Sequence, residues 1–230
     1  MKEVRVEPLP TLIETEGLVI LVDILRATST ITAGLYHEAK VIKPVATVEE
    51  ALLFKDRGYL VAGERQGLPP EGFDLGNSPR EMTRVAGQRV VLTTTNGTRA
   101  LGFVKKAKAV VAGSFLNLSS VATFTERFSE IIILCAGTEG QFSLEDFLFS
   151  GKLAEKINQA KLVNDSAVVA VHYAREVRDI ESELFSSHHA QRLVALGLKE
   201  DVSLCAQVDL YPVVPLLTTE GFVSIRGLSE

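Results

Sequence analysis

Short, almost wholly apolar runs recur along the chain, and each is bounded by polar or turn-forming residues. Runs of this length without polar alternation are typical of strands that are covered on both faces. They predict strands at residues 18–22, 59–62, 90–94, 109–112 and 131–135. The run at 41–45 contains Pro44, which cannot donate to a ladder, so we expect this strand at an edge of the sheet.

Apolar residues at helical spacing fill the intervals between these runs. They predict helices at residues 47–58, 148–160, 166–177 and 180–196, with Asp165 as the N-cap of the third. The tail predicts two further strands, at 211–217 and 221–226. Strands that alternate with helices indicate an α/β fold, here with three layers (α/β/α) and a largely parallel sheet.

We treat residues 1–230 as a single α/β unit, in which 1–160 carries the motif loops and 161–230 is a helix-rich C-terminal portion. An apolar strand three times leads through a small, hydroxylated or acidic loop into a helix, at 19–30, 90–98 and 131–146. Two similar subdomains and the ordinary repetition of a doubly wound fold both account for this pattern. Ligands of such folds bind beyond the carboxyl ends of the strands, where all three loops are expected.

The overall charge and the cysteines limit the class of partner. The net charge is −5 at pH 7, and no basic stripe offsets it, so we expect neither a nucleic-acid nor a membrane partner. Cys135 and Cys205 lack ligand-like spacing, which indicates a reducing compartment. No apolar run approaches the ~20 residues that span a bilayer, and no signal-peptide pattern is visible. We therefore expect a cytoplasmic protein.

The loop at 93–98 (TTTNGT) has the composition of an anion cradle. Gly97 allows the backbone to turn its amides inward, while Thr94, Thr95 and Thr98 add hydroxyl donors. The alternative is a strand end followed by a turn and a helix cap.

The loop at 23–30 (DILRATST) combines a carboxylate at a strand end with an arginine and a hydroxylated helix start. Asp23 can hold a cation or orient water, Arg26 can bind an anion through two nitrogens, and Thr28 and Ser29 lie at a helix N-terminus. An internal Asp23–Arg26 ion pair beside a capping hydroxyl is the alternative.

Two longer loops add further oxygen ligands. Residues 63–81 form a Gly- and Pro-rich segment in which Glu64 follows a strand directly. Asp74, Asn77 and Ser78 of the same segment suit a hard cation, although a surface loop of turn-forming residues has a similar composition. Residues 135–151 carry Glu139, Glu145 and Asp146, which also fit ordinary capping of a helix by acids in its first turn.

Several chemistries are excluded by missing patterns. The sequences GxxxxGK[ST], GxGxxG and GxSxG are absent, Leu25 breaks the DxDx[TV] pattern, and Gln141 breaks CxxxxxR. His37, His172, His188 and His189 fall on predicted helices away from the loops, and we interpret them as solvated or core residues. Acids, hydroxyls and an arginine remain, a combination that suits a Mg²⁺ site for a phosphorylated acid.

At these four segments the sequence resembles the 2-phosphosulfolactate phosphatase family, enzymes of coenzyme M biosynthesis. The resemblance lies in VDILRATSTI (22–31), GERQG and GFDLGNSPRE (63–81), VLTTTNGTRAL (91–101) and CAG…FSLEDFLFSG (135–151). These motifs cover the N-terminal two thirds of the chain in the order of the family, and the C-terminal region matches more loosely.

The resemblance implies a Mg²⁺-dependent hydrolase that releases phosphate from (R)-2-phospho-3-sulfolactate, a small anionic substrate, and it suggests a homodimer. The motif positions, with chemistry as the guide to their duties, predict catalytic roles for Asp23, Arg26, Glu145 and Asp146, substrate binding by Thr28, Ser29, Asn77, Ser78, Thr95, Asn96, Gly97 and Thr98, and metal ligation by Asp23, Glu64, Asp74 and Asp146.

Three hypotheses about function stay open at this point. The first is hydrolysis of phosphosulfolactate by in-line attack of water, and the second is hydrolysis of another small phosphorylated acid on the same fold. The third is a non-catalytic module that binds phosphorylated anions. The acids beside the anion loops favour catalysis, because an anion-binding protein gains nothing from them unless a cation lies between.

Overall fold

A computed structural model describes residues 1–225 of the chain, and within them it has an α/β architecture. The strands are β1 (Lys2–Glu7), β2 (Ile13–Glu14), β3 (Leu18–Val22), β4 (Val41–Pro44), β5 (Leu60–Gly63), β6 (Arg89–Thr93), β7 (Val104–Lys105), β8 (Ala109–Gly113), β9 (Glu130–Cys135), β10 (Ala160–Leu162), β11 (Val214–Leu217) and β12 (Phe222–Ile225). The helices are α1 (Ala27–Tyr36), α2 (Val48–Leu53), α3 (Gly97–Leu101), α4 (Leu118–Phe124), α5 (Leu144–Lys156), α6 (Asp165–Glu176), α7 (Ile180–Ser186), α8 (His188–Ala195) and α9 (Lys199–Cys205).

Ten of the strands form one sheet in the order β10-β1-β9-β3-β8-β11-β12-β4-β6-β5, while β2 and β7 pair separately. The five strands from β10 to β8 are parallel, and so are β4, β6 and β5. Three antiparallel pairings, β8 with β11, β11 with β12 and β12 with β4, connect the two blocks. The predicted α/β class with a largely parallel sheet is confirmed, but the two parallel blocks run in opposite directions.

The reversal changes how the loops come together. In a flat sheet the carboxyl ends of β3 and β6 would lie at opposite edges, contrary to the expectation of one shared edge. Neighbouring strands rotate by roughly 20–25°, so five steps from β3 to β6 accumulate about 100–125° of twist. A twist of this size would turn the two edges toward each other. In agreement with it, the loops of both blocks line one cavity, described below.

The apolar runs became buried strands because helices cover both faces of the sheet. Leu18, Ile20 and Val22 of β3 pack into a core cluster with α5 and α6, whereas Val19 and Leu21 pack into a second cluster with α1. Each fully buried aliphatic side chain contributes about 1.5–3 kcal/mol of transfer free energy. The five predicted strands with continuous apolar runs are confirmed to within a residue or two at each end.

Other predicted elements differ from the structure. The edge position expected for β4 is wrong: β4 lies between β12 and β6, and Pro44 is tolerated because β12 pairs with β4 only at Ile42. The predicted strand at 211–217 begins at Val214, and the last one is confirmed as β12, with Arg226 outside the described residues. The strands β1 and β10 were not predicted, because neither has a continuous apolar run. Polar and buried residues alternate in β1, and β10 has only three residues.

The helix boundaries also moved. The helix predicted at 148–160 occupies Leu144–Lys156, and α6 takes Asn164 rather than Asp165 as its N-cap, through a bond from the Ala167 amide. The helix predicted at 180–196 is divided by Ser187, whose extended backbone ends α7 and whose hydroxyl caps α8. Within residues 1–225, none of the helices combines the length and apolar character required to cross a membrane.

Candidate active site

Loops from both blocks of the sheet and one C-terminal helix line a cavity that is open to solvent, called here the central cavity. About 400 Å³ of space lies within it, part of which is open solvent. Asp23 follows β3, Glu64 follows β5, and Thr95 and Asn96 follow β6. Thr138 and Glu139 come from the loop after β9, and His189 and Arg192 come from α8. The structure thus brings together four of the motif segments singled out in the sequence and adds a helix that was not.

Asp23 is buried in the wall of the central cavity, with 5% of its surface exposed. Its Oδ1 accepts a hydrogen bond from the Ala27 amide at 3.3 Å, at the start of α1. Burial raises the pKa of Asp23 to about 6, although the charge of His189 and the Ala27 amide act in the opposite direction. Gly97 packs against this carboxylate, since a Cβ there would lie 2.7 Å from Oδ2.

Glu64 connects two of the loops. Its Oε1 accepts a bond from the Thr95 amide at 2.8 Å, and its Oε2 accepts one from the Gly67 amide at 2.9 Å. Both oxygens are therefore engaged by backbone, and the side chain is 8% exposed. Glu64 therefore holds the loop after β6 (residues 93–98, called here the anion loop) beside the long loop after β5.

Arg26 has a different partner from either sequence-based interpretation. Its Nη1 donates to Asp201 Oδ2 at 2.7 Å and its Nη2 donates to the Gly67 carbonyl at 2.8 Å, and the residue is 3% exposed. Asp201 Oδ1 also accepts a bond from the Ser78 hydroxyl at 2.7 Å. The structure does not support the prediction that Arg26 and Ser78 donate hydrogen bonds to an anionic substrate. Asp201 of α9 neutralises the guanidinium and accepts the hydrogen bond of the hydroxyl.

Asp146 lies behind the cavity wall. Its Oδ1 accepts from the Ile24 amide at 2.8 Å and its Oδ2 from the Gly137 amide at 3.2 Å, so it joins the loops after β3 and β9. Burial, together with the charges of Glu145 and Asp23, raises the pKa of Asp146 well above its usual value. These contacts make Asp146 a structural link rather than an open metal ligand.

Glu145 and His189 form a pair at the margin of the cavity. Glu145 Oε1 lies 3.2 Å from His189 Nδ1, which is also 3.2 Å from the Thr138 hydroxyl. Burial would raise the pKa of Glu145, but the hydrogen bond and charge of His189 bring it below its usual value. The other carboxylate oxygen of Glu145 is buried without a hydrogen-bond partner.

His189 and Arg192 were missed by sequence reasoning. The interpretation of His189 as a residue away from the loops is wrong, because it lines the cavity at the start of α8. Arg192, one turn later, lines it too, while Ala190 and Leu193 of the same helix are buried. Their spacing on one helix was the only available signal, and it resembles that of an ordinary solvated face.

Several predicted ligands have other partners. The hydroxyls of Thr28, Ser29 and Thr98 donate to the carbonyls of residues 23, 24 and 94 at 2.7–2.9 Å, so they close local turns instead of facing a substrate. Asp74 lies outside the cavity, where it accepts from the Val61 amide and pairs with Lys55 at 3.0 Å. Thus the structure does not bring Asp74 to the other predicted metal ligands.

The remaining donors fit a cation held jointly with a ligand. Among residues 1–225, no three His, Cys, Asp or Glu side chains are grouped so as to hold a metal. Mg²⁺ normally takes one or two protein carboxylates and completes its shell with water and phosphate oxygens. Asp23 suits this arrangement, and Asn77, which also lines the cavity, has a buried amide oxygen without a hydrogen-bond partner.

An α/β fold whose cavity combines buried carboxylates, amide and hydroxyl groups, a histidine and an exposed arginine is typical of a protein that binds a small polar molecule. Residues 4–220 match the model of the family described as 2-phosphosulpholactate phosphatase. The chain belongs to this family, as the resemblance of its motifs predicted.

Proteins named probable 2-phosphosulfolactate phosphatase are similar to the chain over most of its length. The protein from Thermotoga petrophila is 42% identical over 207 residues, which cover 89% of this chain and 90% of that protein. The protein from Thermotoga maritima is 41% identical over the same shares. The protein from Clostridium acetobutylicum is 39% identical over 86% of this chain and 88% of its own length.

Proposed function

We propose that the protein is a Mg²⁺-dependent phosphatase that hydrolyses (R)-2-phospho-3-sulfolactate to 3-sulfolactate and phosphate. Membership of the family and the names of the relatives support the reaction. The observation that carries the chemistry is the carboxylate of Asp23, which is buried in the wall of the central cavity and whose pKa is raised to about 6. A raised pKa means that its negative charge lacks a full counterion, which a bound cation would supply.

Asp23 would hold the metal ion, and the substrate phosphate would bind beside it. The ion, when bound, supplies charge neutralisation for the phosphoryl group. The Thr95 and Asn96 segment lies next to Asp23 through the contact with Gly97, and it is held in place by Glu64. These groups orient the phosphate for in-line attack by water.

Hydrolysis also moves two protons, one from the attacking water and one to the leaving oxygen. His189 is the cavity-lining group that is suited to proton transfer, because Glu145 and Thr138 hold its Nδ1 side and fix the ring. Glu145 then acts by positioning His189, which gives its predicted catalytic role a physical form. This assignment differs from nucleophilic catalysis by histidine, for which the sequence has no support.

Phosphate release tests the proposal directly. We would measure it from racemic 2-phosphosulfolactate, 2-phospholactate and 3-phosphoglycerate, with Mg²⁺ and with EDTA, for wild type and Asp23→Asn. Asp56→Asn is the matched control, since Asp56 is exposed in a turn after α2. We expect turnover that needs Mg²⁺, is fastest with phosphosulfolactate and is lost only in Asp23→Asn.

Turnover that survives EDTA, or that is unchanged in Asp23→Asn, would contradict the proposed chemistry. Faster hydrolysis of 2-phospholactate or 3-phosphoglycerate would identify that acid, and not phosphosulfolactate, as the preferred substrate. Rapid quench with labelled substrate separates direct attack by water from transient phosphorylation of Asp23. The homodimer and the cytoplasmic location stay predictions, and sedimentation of the purified protein tests the first.

A further inference from the structure

The positive charges of the central cavity are unequally available. Arg26 and Arg192 both line it, together with His189. Arg26 is buried, and its two terminal nitrogens donate to Asp201 and to the Gly67 carbonyl at 2.7 and 2.8 Å. A substrate would have to break a buried ion pair to reach it, which is strongly unfavourable because an uncompensated charge would stay buried. Arg192 is therefore the arginine that a ligand can engage.

Arg192 is paired in a way that a ligand can replace. Its Nη2 lies 2.9 Å from Glu139 Oε1, and the two side chains are 50% and 54% exposed. Ion pairs between exposed groups contribute little to the stability of a protein, because water screens them. An arginine can instead bind a tetrahedral oxyanion through two parallel hydrogen bonds, which is a stronger and more directional contact.

The depth of the two charged groups indicates which part of a substrate each one meets. Asp23 is 5% exposed in the cavity wall, whereas Arg192 is half exposed. In phosphosulfolactate the phosphate and the carboxylate are both attached at C2, and the sulfonate is attached one carbon farther away at C3. If the phosphate binds at Asp23, the sulfonate is the anionic group separated from it by the most bonds, and Arg192 is the more exposed charged group of the same cavity that it can meet.

We infer that Arg192 is a specificity-determining residue that recognises the sulfonate, the anionic group that is not transferred, and that Glu139 competes with the substrate for it. The inference rests on the proposed function for the identity of the substrate. Glu139 is well placed for this competition, because its amide donates to Asn96 Oδ1 at 3.0 Å. That bond ties the loop after β9 to the anion loop and keeps the Glu139 carboxylate beside Arg192.

A comparison of two substrates isolates the contact. 2-Phospholactate has a methyl group where phosphosulfolactate has the sulfomethyl group, so the ratio of their kcat/KM values reports the recognition of the sulfonate. A charge-assisted hydrogen bond contributes about 1.5–3 kcal/mol, which corresponds to about 10- to 150-fold. We expect Arg192→Gln to lower the ratio by at least about 10-fold, and Arg192→Lys to lower it less.

The competition with Glu139 predicts a change of opposite sign. Glu139→Gln should lower KM for phosphosulfolactate, because it removes the group that occupies Arg192 in the free protein. It should lower KM for phospholactate much less, because that substrate has no sulfonate to use the released arginine. Arg175→Gln is the matched control for Arg192→Gln. Arg175 pairs with Glu155 at the same 2.9 Å and with similar exposure, but it lies outside the cavity. Circular dichroism of each variant verifies that it is folded.

A binding measurement separates this inference from the proposed function. Calorimetry with Mg²⁺ should show that the wild type binds 3-sulfolactate more tightly than lactate and that Arg192→Gln loses the difference. If the wild type hydrolyses neither ester while this difference persists, the proposed function fails and the assignment of Arg192 holds. Equal losses for both substrates, or no difference between sulfolactate and lactate in the wild type, would overturn the assignment.

Discussion

Replacement of Asp23 by asparagine should stabilise the metal-free protein although it removes the activity. Asp23 is buried, and the fold disfavours its ionised form, as its raised pKa indicates. Asparagine has nearly the same shape without the charge, and its amide oxygen can still accept the bond from Ala27. The substitution therefore removes an electrostatic cost and keeps the packing.

The size of the gain follows from the pKa. Burial raises the pKa of Asp23 from 3.8 to about 6, and each unit corresponds to about 1.4 kcal/mol. The ionised side chain thus costs the folded state on the order of 3 kcal/mol at neutral pH. Between the two pKa values the folded state binds more protons than the unfolded chain, so stability falls as the pH rises. The full cost is present above about pH 6, about half of it at pH 5, and almost none below 3.8.

Urea denaturation of wild type and Asp23→Asn, in EDTA at pH 5 and pH 7.5, measures this difference. The gain in the free energy of unfolding should be about twice as large at pH 7.5 as at pH 5. Mg²⁺ should then stabilise the wild type and not the variant, while Asp56→Asn should behave as wild type throughout. A variant that is no more stable than wild type at pH 7.5, or a gain independent of pH, would refute the reasoning.

Three further substitutions test other parts of the structure. Asp201→Ala leaves the buried Arg26 without a counterion. It should lower the free energy of unfolding by about 3–5 kcal/mol in a urea titration. A loss below about 1 kcal/mol would contradict a stabilising role of the Arg26–Asp201 pair. Gly97→Ala places a Cβ 2.7 Å from Asp23 Oδ2. It should lower kcat/KM by roughly 100-fold while the fold is retained, because the carboxylate must move. Near-normal turnover would show that the contact of Gly97 with Asp23 does not matter for catalysis. Phe149→Ala removes a fully buried ring that packs edge-on against a second phenylalanine. It should lower the free energy of unfolding by about 3–5 kcal/mol in the same titration and leave the activity per folded molecule unchanged. A smaller loss would indicate that the core collapses around the gap.

The strands were predictable because burial on both faces leaves a local trace. Every residue of β3 is buried, and its sequence is apolar throughout. Strand direction and order have no such trace, since they depend on pairings between distant segments. The C-terminal hairpin β11–β12 inserts between β8 and β4 and reverses one block against the other, although it is formed by the last part of the described chain.

The site was predictable where a functional group follows a strand directly, and less so elsewhere. Asp23 and Glu64 come immediately after apolar strands, and both reach the cavity. The hydroxyls of Thr28 and Ser29 looked equally suitable, but such groups at a helix start readily bond to nearby carbonyls, as they do here. The partner of Arg26 lies 175 residues away in sequence, which no local pattern indicates.

The hydrogen bonds of the charged groups divide them into two sets with different duties. Glu64 and Arg26 have their terminal atoms engaged by protein partners, so a ligand gains little from them without first breaking those bonds. Asp23 lacks a full counterion, and Arg192 has a partner that exchanges at little cost. Binding free energy is available only from groups that the fold leaves incompletely compensated, because a satisfied charge has no net interaction left to offer. We therefore expect the acid whose charge the fold disfavours to gain most from a bound cation. Of the two arginines in the cavity, we expect the one with the exposed ion pair to be the one that is available to a substrate.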